Sequence, residues 1–424
     1  MTAEGRPLKV AIAGFGTVGQ AVARILCEGH HRGLRLVAVC TRRPAEGRRD
    51  APWVPSDVCW TGDIHDLLAR PADVMVELIG GVEPARAWVA AALESGRAVV
   101  TANKQVMAEH GPALIALARF TGSPLRFEAA VAGAVPVILA LQDGLAGDRV
   151  TRIEGVVNGT CNFVLSRMTD SGVSQDEAVR EAQARGFAEA DPAADIDGLD
   201  ARAKLSILAA IGLGTHLPPR GIPAGSIRGI DAGDIEAAAS IGRVIRQVVW
   251  AERSALESGA MTAGVGAALV RRDSWLGRAR GPENVVLVHG ERSGTTVFAG
   301  QGAGGDATAV AVVSDLLALA ERRSVTRPWP APSPAGTSAD PERPHYVRVS
   351  PSRTAAPHDA RCLLAGAGFE LDRVLAPGND DPSRWAAVVR PCRGVDLDRA
   401  LAPLLPAGGA AGTLISLPLL DAET

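Results

Sequence analysis

The chain has 424 residues, 47% of them apolar and 21% charged, with a formal net charge of −3. That length supports two or three domains with cores of their own, and the absence of any basic block sets nucleic acid aside as a partner. The six cysteines lack C-x-x-C spacing, which argues against a zinc site or a disulfide framework and points to a reducing cytoplasm.

"MTAEGRPLKVAIAGFG" runs almost directly into an apolar strand, without the pattern of a cleavable signal. From there "KVAIAG", "VGQAVARILCEG", "RLVAVC", "VMVELIG", "RAWVAAALESG" and "AVVTA" alternate short apolar runs with helical stretches. This βαβ rhythm predicts an α/β fold whose first domain, residues 1–130, is a Rossmann-type, doubly wound parallel sheet covered by helices. Residues 131–299 mix strands such as "RIEGVVNG" with long helices and are expected to form an α+β domain. Six prolines between Thr326 and Pro344 mark an extended linker at 326–344, and a small α+β module follows at 345–424. Residues 400–420 carry no charge, but Pro403, Pro406 and Pro418 break the run, so a membrane span is disfavoured.

"VAIAGFGTVGQAVARIL" places Gly14, Gly16 and Gly19 in G-x-G-x-x-G spacing between a strand and an amphipathic helix, with Phe15, Thr17 and Val18 completing the loop. Gly14 suits a tight turn, Gly16 a close backbone approach to a pyrophosphate, and Gly19 close packing of helix on strand. At the end of the second strand an acidic residue would select NAD(H). This chain has Arg42 and Arg43 there instead, two cations placed for a 2′-phosphate, so NADP(H) is favoured over NAD(H).

Only three lysines, Lys9, Lys104 and Lys204, stand among the 44 basic residues. A solvated charge could equally be arginine, so a retained lysine suits a role that requires giving up a proton. Lys204 follows Glu189, Asp191, Asp195, Asp197 and Asp200. Ile196, Leu199, Ala203 and Ile207 read as an apolar helical stripe, with Asp197, Asp200 and Lys204 on an adjacent face. So many carboxylates beside one ammonium suit a site that binds a substrate's amino group and holds a proton donor. Lys104 follows a strand end and the turn-forming Asn103, where ligands bind in doubly wound sheets.

The segments "GFGTVG", "IGGVEPARAWVAAALESGRAVVTANK", "FEAAVAGAVPVI", "EGVVNGTCNFVLSRM", "GFAEADPAADIDGLDARAKLSILA" and "GQGAGGDATAVAVVSDLL" together resemble homoserine dehydrogenases, in that family's order, over residues 9 to about 320. The resemblance implies reversible reduction of L-aspartate 4-semialdehyde to L-homoserine with NAD(P)H. It makes Lys204 the proton donor, gives Glu189 and Asp200 the amino-acid substrate with Asp195 in the same polar cluster, and brings Lys104 to substrate or nicotinamide. It further implies cofactor contacts at Gly186 and Gly302, a sodium ion at Glu128, Val131, Gly133 and Val135, and completion of the first domain by residues 300–325. A homodimer or homotetramer built through the middle domain is the family's habit. The last module resembles an ACT domain, although "SRTAAPHDAR" stands where that family usually has a proline-glycine turn. Such a departure fits a specialised pathway rather than threonine and methionine supply. Two other readings are a related oxidoreductase acting on another small amino-acid aldehyde or alcohol in a specialised pathway, and a non-catalytic nucleotide or metabolite sensor on the same scaffold.

Overall fold

The structure is a computed structural model that describes residues 6–31, 33–253, 260–321, 326–332, 337–338, 341–349, 357–375, 385–404 and 414–421. Residues 333–336 and 339–340 of the expected linker, and 352–356 of "SRTAAPHDAR", lie outside them. Two compact units result: Met1–Arg149 with Ser206–Pro219 and Phe298–Pro332, and Val150–Leu205 with Arg220–Val297 and Ser333–Thr424. No helix among the described residues is long and apolar enough to cross a membrane.

The first unit is built on β1 (Leu8–Ala13), β2 (Leu34–Cys40), β3 (Cys59–Thr61), β4 (Val74–Glu77), β5 (Ala98–Thr101) and β6 (Leu125–Arg126). They lie side by side in the order β3-β2-β1-β4-β5-β6, and every pairing is parallel. This is the doubly wound arrangement in which the order reverses between β1 and β4. Strands buried on both faces read as continuous apolar runs rather than alternating ones, which is why LKVAIA and VMVE look as they do. Val10, Ile12, Val39, Val76 and Val100 form the core with Val22 of the helix Thr17–Cys27 and with Ala309, Val312 and Leu316 of the helix Gly305–Ala320.

The second unit holds β7 (Val150–Val156), β8 (Arg243–Arg253), β9 (Met261–Arg271), β10 (Glu283–Gly290) and the start of β11 (Gly294–Gln301). Then come β12 (Thr337–Ser338), β13 (Arg343–Val349), β14 (Leu371–Leu375), β15 (Trp385–Cys392) and β16 (Leu414–Leu420). One mixed sheet runs β11-β10-β7-β8-β9-β16-β13-β15-β14, with β12 beside β9. The C-terminal module is therefore continuous with the middle sheet, joined by the parallel pair β16–β9 at Leu419↔Leu269 and Leu420↔Val270. Side-chain alternation along β13 explains how the module buries both faces. Val347 and Val349 pack with Leu364, Leu397 and Leu401 from the helices Pro357–Gly366 and Gly394–Leu401. Tyr346 and Arg348 point the other way, where Tyr346 joins Phe163, Ile235 and Ile245. There Asp234, fully buried, accepts hydrogen bonds from Tyr346 Oη (2.7 Å), Arg348 Nε (3.0 Å) and Arg348 Nη2 (3.0 Å).

Candidate active site

The glycine loop leaves β1 and opens the helix Thr17–Cys27. Gly14 has φ +107°, and a Cβ there would lie 2.6 Å from Leu78 O; a Cβ on Gly19 would drive into Gly14 O. Gly16 meets nothing within 4 Å. Gly14 thus brings the loop against the chain just past β4, Gly19 packs the helix onto the loop, and the middle glycine leaves free space above the first helical N–H groups. That cradle fits an anion such as a pyrophosphate at the helix N-terminus. The helix Gly305–Ala320 also begins here, for a Cβ on Gly305 would sit 2.9 Å from Thr17 Cγ2. Arg42 and Arg43 lie just past β2, both exposed, and Arg43 Nη1 is 3.0 Å from Glu46 Oε2.

At the carboxyl ends of β4 and β5 stands a group that sequence reading passed over. Glu77 is fully buried and accepts from Thr101 Oγ1 (2.6 Å) and Ile79 N (2.8 Å). Burial pushes its carboxyl up, against those hydrogen bonds. Asn103 caps the helix Lys104–Thr121 by accepting from Val106 N, and its Nδ2 donates to Gly81 O at 2.6 Å. Lys104 is the first residue of that helix and is half-buried.

The segment 128–135 folds back on itself beside Gly302. Ala132 and Gly133 both have φ 60°, and a Cβ on Gly133 would lie 2.7 Å from Gly302 O. Glu128 is buried; its carboxylate accepts from Ile138 N (2.9 Å) and Leu139 N (2.7 Å), while its own N–H donates to Asp315 Oδ2 (2.9 Å). Burial and the neighbouring Asp315 push Glu128 up to about 7, and Arg126, 2.6 Å from Asp315, offsets only one of the two charges.

In the second unit Lys204 Nζ donates to Asp200 Oδ2 (2.7 Å) and to Val157 O (2.8 Å), and its side chain is only 12% exposed. Asn158 completes the cluster. Its Nδ2 donates to Asp195 Oδ1 (2.7 Å) and Asp200 Oδ2 (2.8 Å), while its Oδ1 accepts from Cys161 N as the cap of the helix Gly159–Ser171. Because a backbone N–H must meet the amide oxygen, the orientation of the amide is fixed by chemistry. Gln247 Nε2 and Cys161 Sγ both donate to Asp195 O. Burial, then the charge of Asp200, raises the Asp195 carboxyl above its usual range, opposed by Asn158 and Lys204.

The expected stripe is interrupted. Gly198, at φ +75°, ends the short helix Ala193–Ile196 before Leu199–Gly212 begins, so Leu199 turns outward while Ile196, Ala203 and Ile207 stay buried. Asp197 leaves the face it was expected to share and pairs instead with Arg228, Oδ1 to Nε 2.7 Å. Asp195, Asp200 and Lys204 are brought together. Glu189 and Gly186 are exposed, and Glu189 accepts through its backbone oxygen from Gln183 Nε2. Asn158 and Gln247 were not legible as site residues: an Asn-Gly pair also signals a turn, and a glutamine inside a strand gives no signal.

Comparison with known proteins decides the family. Residues 136–317 match the model for homoserine dehydrogenase and residues 14–128 that for its NAD-binding domain. A homoserine dehydrogenase of Synechocystis sp. is 37% identical over 81% of this chain and 80% of its own. The chain belongs to the homoserine dehydrogenase family. A crystal structure of a homoserine dehydrogenase from Thiobacillus denitrificans superimposes with a TM-score of 0.87 at 30% identity, covering 98% of both chains. A hyperthermophilic archaeal homoserine dehydrogenase, solved with NADPH, gives 0.64 at 26% identity over 74% of this chain and 98% of its own. As a homoserine dehydrogenase, the protein is a nicotinamide-dependent oxidoreductase that interconverts L-aspartate 4-semialdehyde and L-homoserine.

Proposed function

We propose that Lys204 is the proton donor of this homoserine dehydrogenase, with Asp200, Asp195 and Glu189 holding the substrate's ammonium group. The observation that carries this reading is the environment of Nζ. Asp200 and Val157 O take two of its three hydrogens and aim the third, in a site with little water around it. A bound dihydronicotinamide supplies hydride when the aldehyde is reduced. As negative charge grows on the aldehyde oxygen, the ammonium of Lys204 stabilises it and then transfers its proton; in reverse, the amine takes the proton from the hydroxyl. Two carboxylates against one ammonium leave the cluster one negative charge in excess, which suits a substrate cation. Lys104 is assigned a supporting role at substrate or nicotinamide.

Gly14 to Gly19, including Phe15, Thr17 and Val18, are assigned to the pyrophosphate, with Gly186 and Gly302 as further cofactor contacts. Exposed Arg42 and Arg43 suit a 2′-phosphate, so NADP(H) is preferred. The NADPH complex of the archaeal relative supports that choice. The loop of Glu128, Val131, Gly133 and Val135 fits a sodium ion. Glu128 and Asp315 are buried beside a single guanidinium, that of Arg126, so a cation would balance the second carboxylate, and backbone carbonyls would supply the other ligands. Assembly as a homodimer or homotetramer is carried over from the family.

Lys204→Ala is expected to lose roughly 10²- to 10⁴-fold in turnover, with NADPH affinity by fluorescence titration unchanged; turnover equal to wild type would remove the assignment. Lys204→Arg keeps the charge but not the transferable proton, so it should be almost as impaired. Replacing Arg42 and Arg43 together by alanine should raise the KM for NADPH about tenfold while leaving that for NADH alone, the loss expected for a charged hydrogen bond.

A further inference from the structure

Glu77 ends β4 beside Ala13 of β1 and Thr101 of β5, at the point where the strand order reverses. Its carboxylate leans away from β1, for Oε2 accepts from Thr101 Oγ1 at 2.6 Å. Asn103 N donates to that same hydroxyl oxygen at 3.0 Å, which leaves the hydroxyl hydrogen for Glu77. Oε1 accepts from Ile79 N at 2.8 Å. Donors therefore meet both carboxyl oxygens, and that arrangement favours the charged form.

Nothing in the first unit neutralises that charge. Glu77 is fully buried and forms no ion pair among the described residues. Burial pushes its carboxyl up, while hydrogen bonds from Thr101, Asn103 and the N–H groups of Ile79 and Gly80 pull it back. A carboxylate so placed is stabilised by any cation brought near it.

The surrounding chain indicates which cation. Leu78 N donates to Ala13 O at 2.8 Å, and a Cβ on Gly14 would lie 2.6 Å from Leu78 O, so the segment leaving Glu77 runs against the glycine loop. Gly80 and Gly81 then turn it at φ 72° and 70°, and Gly81 O accepts from Asn103 Nδ2 at 2.6 Å. In a doubly wound sheet the adenosine end of a dinucleotide lies past β2 and its pyrophosphate at the turn after β1, so its other end reaches over the strands beyond the reversal. Those strands are β4 and β5, whose ends Glu77 ties together.

A nicotinamide ring is neutral when reduced and positive when oxidised. We propose that Glu77, without touching the substrate, is a positioning residue of the nicotinamide site whose buried charge stabilises the oxidised ring over the reduced one. It thereby favours hydride donation to the aldehyde. The inference rests on the glycine loop being the cofactor's cradle.

Glu77→Gln keeps the shape of the side chain and removes its charge. Isothermal titration calorimetry on the full chain should find NADP⁺ weakened at least about fivefold more than NADPH, the effect of one charge across a low-dielectric interior. Glu77→Asp retains the charge, so its NADP⁺-to-NADPH affinity ratio should stay within about twofold of wild type, even where both affinities fall. A role in loop shape alone would move the two forms together. Melting temperatures report folding. Should Glu77→Gln not fold, Glu77→Met with Thr101→Val removes the carboxylate together with its hydroxyl donor and carries the same comparison. Gly16→Ala tests the cradle by itself, because it weakens both forms alike. The proposal is overturned by an unchanged affinity ratio in the charge-free variant, or by Glu77→Asp shifting the ratio as far as Glu77→Gln.

Discussion

Asn158 directs both amide hydrogens at carboxylates, Asp195 on one side and Asp200 on the other. Two like charges would otherwise separate or share a proton, so this amide favours the charged form of Asp195 and holds the pair in register with Lys204. The sign is definite: a hydrogen bond to the charged form lowers a carboxyl pKa, and losing it raises one. Asp195 already sits above its ordinary range, through burial and the charge of Asp200. Asn158→Leu is expected to move the acid limb of the kcat/KM profile to higher pH and to lower kcat/KM about tenfold or more. A profile with an unmoved acid limb would reduce Asn158 to a helix cap. Lys204 was legible because lysine is scarce in a chain rich in arginine. Asn158 was not, because its partners lie 37 and 42 residues away. Only the fold supplies that proximity.

Among the elements, the glycine loop separates folding from binding within one motif. A methyl on Gly19 collides with Gly14 O, whereas a methyl on Gly16 meets nothing within 4 Å. Gly19→Ala should therefore lower the melting temperature as well as cofactor affinity. Gly16→Ala should fold like wild type and lose NADPH affinity alone, because the added carbon occupies the space proposed for phosphate. Thermal melts beside fluorescence titrations distinguish the two, and an unchanged NADPH affinity in Gly16→Ala would count against the cradle. The strands β1, β2, β4 and β5 were readable as apolar runs between helical stretches. β3 and β6, at three and two residues, were not, since runs so short carry no periodicity of their own. The break at Gly198 was hidden for a related reason: apolar spacing on either side of it continues in helical phase, and spacing alone does not report a left-handed residue.

For the molecule as a whole, composition and the βαβ rhythm identified a Rossmann-type domain followed by mixed α/β structure. What they could not show is that strands past residue 340 extend the middle sheet, because cross-strand pairing over such separations leaves no local pattern. Beside the β16–β9 pairing, the attachment includes Asp234, buried with Arg348 and Tyr346 around it. Removing one partner of a buried pair is costly because the other charge stays behind. Arg348→Met should accordingly destabilise the second unit by about 3 kcal/mol, read as a lower urea midpoint. A midpoint within error of wild type would mean that the β16–β9 pairing and apolar packing hold the module without this ion pair.

β16 stands in the interior of the sheet of the second unit, between β9 and β13, yet it follows every other strand of that sheet in the chain. A ribosome working from the amino end therefore exposes β9 and β13 before the strand that joins them exists, and each waits with an open backbone edge. During synthesis this protein is left with two unzipped seams at its middle, and residues 414–420 close both at once.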